Sequence, residues 1–297
     1  MERMFVLKKV NLFITSLLLA IMLGITPVFA ANIPEGESRV AMGANLDEQQ
    51  RARIYKDFDL AEGDVKELTV TNQEERAYLE GVAPESKIGN VALSCVYIKT
   101  LEQDSGLNIS LHNINWCSEN MYRNALITAG IVDASVMISA PFPVSGTAAL
   151  TGIYKAYEDI TGEKLDESAK KAAANELVIT GDLAEAMGSV DATQLVNELK
   201  GILDQTKDMT DDEVRSEIRK IAKDLGVEVT DSQVEQLLGL CRELEGLNTE
   251  ELQKRLDSIV GTIESVQKVD TFFSKLGKDI QTFFKSVGNF FSNLFHF

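Results

Sequence analysis

The chain has 297 residues, 44% of them apolar, with 46 acidic against 29 basic side chains and a net charge of −17. That acid excess argues against nucleic acid as a partner, since phosphate binding needs clustered Lys and Arg. Two His and three scattered Cys offer no zinc set, and the length exceeds the usual span of one domain.

Arg3, Lys8 and Lys9 precede an apolar run over residues 10–25, Pro27 ends that run, and Val28-Phe29-Ala30 offers a small-x-small cleavage site. Residues 1–30 read as an export signal, because the apolar run falls short of the ~20 residues of a spanning helix. The expected location is therefore secreted or cell-envelope associated.

Residues 31–144 alternate short strands and helices. Strands are predicted at 39–44 and 65–71. Asp47 with Gln50, and Thr71 with Glu74, form capping boxes that open the helices after them. Apolar runs at 91–100 and 107–116 flank a polar turn and predict an antiparallel hairpin. Ser118 caps a helix that stops at Gly130, and 134–140 is the last strand. This order predicts an α+β layer with helices covering a small mixed sheet. Cys95 and Cys117 fall on the two hairpin strands and are a candidate disulfide; the alternative is buried thiols, as is expected for Cys241 within a helical pattern.

From 145 to 267 strand signals nearly vanish, and an all-helical bundle is predicted. One helix opens at Ser145 and another runs over 166–187, with a break at Gly181. Helix starts then recur at Asp191, Thr210, Thr230 and Asn248, each with Gln or Glu three residues on (Gln194, Glu213, Gln233, Glu251).

The segments Met42-Gly43-Ala44-Asn45-Leu46, His112-Asn113-Ile114-Asn115-Trp116, Ala125-Leu126-Ile127-Thr128-Ala129-Gly130-Ile131 and Ala140-Pro141-Phe142-Pro143-Val144-Ser145-Gly146-Thr147-Ala148 resemble the YpuA-like family of exported Gram-positive proteins of unknown function. The likeness is strongest over 39–161 and looser through the helical region. It implies an extracytoplasmic life and brings no catalytic residues or cofactor with it.

Three motifs bear on chemistry. Ser145, Gly146 and Thr147 enter a helix straight after a strand, so free N–H groups and two hydroxyls there are a candidate anion-binding helix start; an ordinary cap is the plainer reading. They match neither a P-loop nor a G-x-S-x-G elbow. His112 is the sole His ahead of the tail, so a secreted hydrolase would place its site near His112 and Ser145, with Ser94, Ser110 and Asp104 as further candidates. Its alternation with Leu107, Ile109 and Leu111 is also that of a half-buried strand. The acids at 57–64 lack EF-hand spacing and those at 211–213 suit a helix first turn. No metal site is expected.

Residues 268–297 form a predicted amphipathic helix. At about 100° per residue its apolar side chains fall on one side: Phe272, Phe273, Leu276, Ile280, Phe283, Phe284, Val287, Phe290, Phe291, Leu294, Phe295 and Phe297. Burying each Phe contributes roughly 1.5–3 kcal/mol, so the stripe must cover the chain's own body, a second copy or a lipid surface. Four Lys against two Asp make this the one stretch after residue 30 with basic excess, as an anionic leaflet favours. The reading that follows is a non-enzymatic binding protein that attaches peripherally to a membrane or a protein, its partner an unidentified protein or envelope component.

Overall fold

The computed structural model describes the backbone of residues 34–265 and the side chains of 34–257. The expected export signal at 1–30 and the expected aromatic helix at 268–297 lie outside the described residues. Five strands form one mixed sheet in the order β2-β1-β3-β5-β4. β1 (Ser38–Gly43), β2 (Lys66–Val70), β4 (Leu107–Ile114) and β5 (Ala134–Val144) run the same way; β3 (Cys95–Thr100) opposes them from the middle. Eleven helices lie among the described residues. They are α1 (Glu48–Asp57), α2 (Asn72–Leu79), α3 (Glu85–Ile88), α4 (Glu119–Ala129), α5 (Thr147–Thr161), α6 (Glu167–Met187), α7 (Ser189–Gly201), α8 (Leu203–Thr206), α9 (Asp211–Asp224), α10 (Asp231–Glu245) and α11 (Thr249–Ser265). The fold is α+β, and no described helix is long and apolar enough to cross a membrane.

Strand register decides which side chains share a face. Val40 pairs with Tyr97 and Tyr97 with Met137, and this face is covered by α1, whose Ile54 and Tyr55 join Val40, Met42 and Cys95 in one cluster. Ala41, Val96, Ile98, Val136 and Ile138 point the other way and are buried. There α5 lies so close that a Cβ on Gly152 would meet Ala41, Val70 and Val96 at 3.3–3.4 Å. A helix that follows Val144 is thus part of the sheet's cover, so the change from strand to helix in the sequence is not a packing boundary.

The expected hairpin does not form. β5 lies between β3 and β4, antiparallel to the first and parallel to the second. Burial explains the order: Ala134, Val136, Ile138 and Ala140 are buried on one face of β5 and Ser139 on the other, with Ser135 and Met137 half-buried, whereas Asn108, Ser110 and His112 on β4 stay exposed, which suits an edge. The connection between β3 and β4 is fastened to the residue before β5. Leu101 N donates to Asp133 O at 3.1 Å and Gly106 N to Asp133 Oδ1 at 2.8 Å. β5 also runs further than predicted, through Pro141 and Pro143; β3 has ended at Cys95 opposite Ser139, so neither proline deprives β3 of a hydrogen bond.

The capping boxes at Asp47, Thr71, Thr210 and Thr230 are all present. Asn248 Oδ1 accepts from Glu251 N at 3.1 Å. Asp191 is not a cap. α7 starts two residues earlier, directly behind Gly188, and places Asp191 in its first turn, where its charge favours the helix dipole. α6 continues through Gly181 without a break because the glycine serves packing: a Cβ there would sit 2.4 Å from Trp116 Cζ2. Ala172, Ala173 and Ala174 likewise let neighbours approach α6, which packs against α4, α7 and α10. Ile179, Leu183, Leu195, Leu199, Val214, Ile218, Leu237 and Cys241 join these helices into one apolar cluster.

Candidate functional site

Where the four parallel strands end, helices begin: α2 follows β2 and α5 follows β5. The segment leading into β3 arrives at the same end. Open sheets of parallel strands bind ligands at such carboxyl ends. A cavity of about 380 Å³ lies here, lined by α2, α3, the 89–94 segment, Asn115, Trp116 and the β5–α5 junction.

Its floor is Glu75, 1% exposed. α2 buries Glu75 and Leu79, one turn apart on the same helix side. Glu75 Oε1 accepts from Thr147 Oγ1 at 2.7 Å and Oε2 from Asn72 Nδ2 at 3.2 Å. Burial pushes the carboxyl up to about 7, against those two hydrogen bonds and the nearby Arg76 charge. No cation is within ion-pair reach of it among the described residues. Arg76 instead grips Glu85 through two bonds at 3.1 and 2.7 Å and donates to Gly89 O at 2.9 Å.

The helix start expected to bind an anion does line this cavity. Its groups are already engaged: Ser145 Oγ donates to Lys87 O at 2.7 Å, and Thr147 Oγ1 lies 3.0 Å from the same carbonyl. An added anion would meet the Glu75 carboxyl at that point. Gly146 holds φ at 99°, and a Cβ there would lie 2.5 Å from Tyr122 Oη, so backbone and packing both demand glycine. At the rim, Lys87 Nζ pairs with Glu185 Oε1 at 2.6 Å and sits 4.8 Å from the Trp116 ring centroid. Trp116 Nε1 donates to the same carboxylate oxygen at 2.8 Å.

His112 is elsewhere. It lines a second hollow of about 260 Å³ with Asp57, Ser110 and Ser139, on the sheet face that carries α1. Its Nε2 lies 3.8 Å from Asp57 Oδ2, and that oxygen also accepts from Ser139 Oγ at 2.7 Å. A hydrolytic triad needs the serine proton directed at the imidazole. Here both partners turn to the acid, Ser139 is 1% exposed, and Ser145 lines the other cavity. The structure does not bring His112 and Ser145 together.

Sequence comparison adds the family. A family model described as "Protein of unknown function (DUF1002)" matches residues 42–259. A Bacillus subtilis (strain 168) protein named "Uncharacterized protein YpuA" is 35% identical over 294 residues, which span 93% of this chain and 99% of that one. The chain belongs to the DUF1002 family. No solved structure matches it. The matched DUF1002 segment takes in the cavity, the end of β1, strands β2 to β5 and most of the helical body, and ends before the aromatic tail.

Within this DUF1002 fold the candidate disulfide is not formed. Cys95, Cys117 and Cys241 are free and buried. Once β5 separates β3 from β4, the two hairpin thiols no longer face each other. Cys95 Sγ instead lies 3.5 Å from Gly43 N and Leu93 O, and Cys117 packs beside Gly146. Burial pushes both thiols up to about 12, which suits inert core residues. Among the described residues, no three His, Cys, Asp or Glu side chains gather to hold a metal.

Sequence reasoning missed Glu75. A glutamate in a short polar helix reads as solvent-facing, and Leu79 four residues on was the available signal. It also missed Asp57 as the neighbour of His112, because that contact joins residues 55 positions apart.

Proposed function

We propose that this chain is an exported, non-enzymatic binding protein of the cell envelope, which holds a small polar ligand in the cavity floored by Glu75. Its aromatic C-terminal segment provides attachment to a membrane or to another chain. The observation that carries the reading is the cavity's make-up: a buried acid, the hydroxyls of Ser86, Ser94, Ser145 and Thr147, and Trp116 at the strand ends. The basic leader with its small-x-small site supports export. A hydrolase at His112 and Ser145 has no support from geometry, since each lines its own hollow.

Trp116 is the single tryptophan of the chain, so its emission reports on this site alone. Titrating residues 31–297 with digested envelope polymers should give a saturable change in that emission. Emission that stays flat across wall, glycan and anionic-polymer digests would remove the binding role.

A further inference from the structure

We propose that the ligand held above Glu75 presents a primary ammonium group on a short aliphatic or sugar stem. The inference rests on the binding-protein reading of the same cavity and assigns the ligand's charge. Buried carboxylates need a counter-charge or enough hydrogen bonds to replace water. Two other carboxylates meet that need with a lysine: Glu176, 0% exposed, takes Lys200 Nζ at 2.8 Å, and Glu158 takes Lys170 Nζ at 2.8 Å, while Asp133 at 9% exposure accepts from the Gly106 N–H. Glu75 receives only a hydroxyl and an amide, both neutral, and uses two of about four acceptor positions of a carboxylate.

The cations near the cavity are already matched. Lys87 pairs with Glu185 at 2.6 Å and Arg76 with Glu85 at 2.7 Å. The charge left over is that of Glu75, and it fronts the cavity. Other groups there are mostly acceptors or hydroxyls, from Ser86, Ser94, Asn115 and Ser145, with Val91 and Leu93 as apolar wall for a stem. An ammonium supplies three donors and one positive charge to that set. An anion would add repulsion, and a neutral alcohol would leave the charge unmatched.

Calorimetric titration of residues 31–297 at pH 8 with n-butylammonium, n-butanol and butyrate isolates charge at constant shape. The expected result is butylammonium binding at least tenfold tighter than butanol, with no butyrate uptake. Glu75→Gln, which keeps the shape and a partner for Thr147, should abolish that preference. Equal binding of butanol, tighter binding of butyrate, or no butylammonium uptake would each overturn the ammonium assignment; the unmodified chain decides this even if the variant does not fold. Trp116 emission with envelope digests judges the cavity separately, so a failure of charge class and a failure of the site are distinguishable.

Discussion

Glu75 and Glu176 are both buried carboxylates, and their surroundings give them opposite consequences. Glu75 rises from an ordinary 4.5 to about 7 because burial outweighs two neutral hydrogen bonds. The folded chain therefore holds that proton more tightly than the unfolded one. Its contribution to stability is greatest below about pH 4.5 and falls as pH climbs to about 7, by roughly 3 kcal/mol. Urea unfolding should show Glu75→Gln gaining about 2–3 kcal/mol on the parent between pH 5 and pH 8. A gain that does not change with pH would contradict the placement of this carboxyl. Glu176 is also pushed up by burial and Lys200 down, yet the two hold each other, with Thr128 and the Asn124 carbonyl completing the set. Lys200→Met alone should cost about 3–5 kcal/mol, because it leaves a bare buried acid, whereas adding Glu176→Leu should recover most of the loss. A single change that costs under about 1 kcal/mol would show that the pair is not desolvated.

At the scale of elements, Gly181 sets helix propensity against packing. Alanine in a helix interior is favoured over glycine by about 1 kcal/mol. The Trp116 ring blocks the new methyl at 2.4 Å, and overpacking of this kind costs about 1–3 kcal/mol. Gly181→Ala should therefore destabilise the chain, and should turn stabilising once Trp116→Ala has removed the ring. Thermal unfolding of the four proteins checks the reversal; a loss in both backgrounds would mean that another neighbour blocks the site. The same contrast explains what could be read from sequence. The boxes at Asp47, Thr71, Thr210 and Thr230 were legible because a cap and its partner lie three residues apart. Gly181 misled, since the ring it accommodates is 65 positions away and propensity alone predicts a break. The hairpin misled for a related reason. Alternation identifies strands but not neighbours, and β5 took the interior place beside β3 because it is better buried than β4, whose Asn108, Ser110 and His112 stay exposed. Glu75 was hidden by its type; only the position of Leu79 on the same helix side marks it.

For the whole molecule, two surfaces compete for the binding role: the strand-end cavity and the aromatic tail. The tail's chemistry is legible in sequence, where eight Phe fall within residues 272–297, and its benzyl groups outweigh a small net charge. Flotation with anionic liposomes should recover residues 31–297 and leave behind a version ending at Val266, with little dependence on salt. Equal flotation of both would remove lipid attachment through the tail. The cavity makes a separate claim about where a soluble ligand goes. Amide and indole NMR shifts of residues 31–297, followed during addition of an envelope digest, locate it directly. The expected changes cluster at Gly89, Trp116, Thr147 and Ala148 around Glu75; changes confined to Asp57 and His112, or to residues 268–297, would contradict the account.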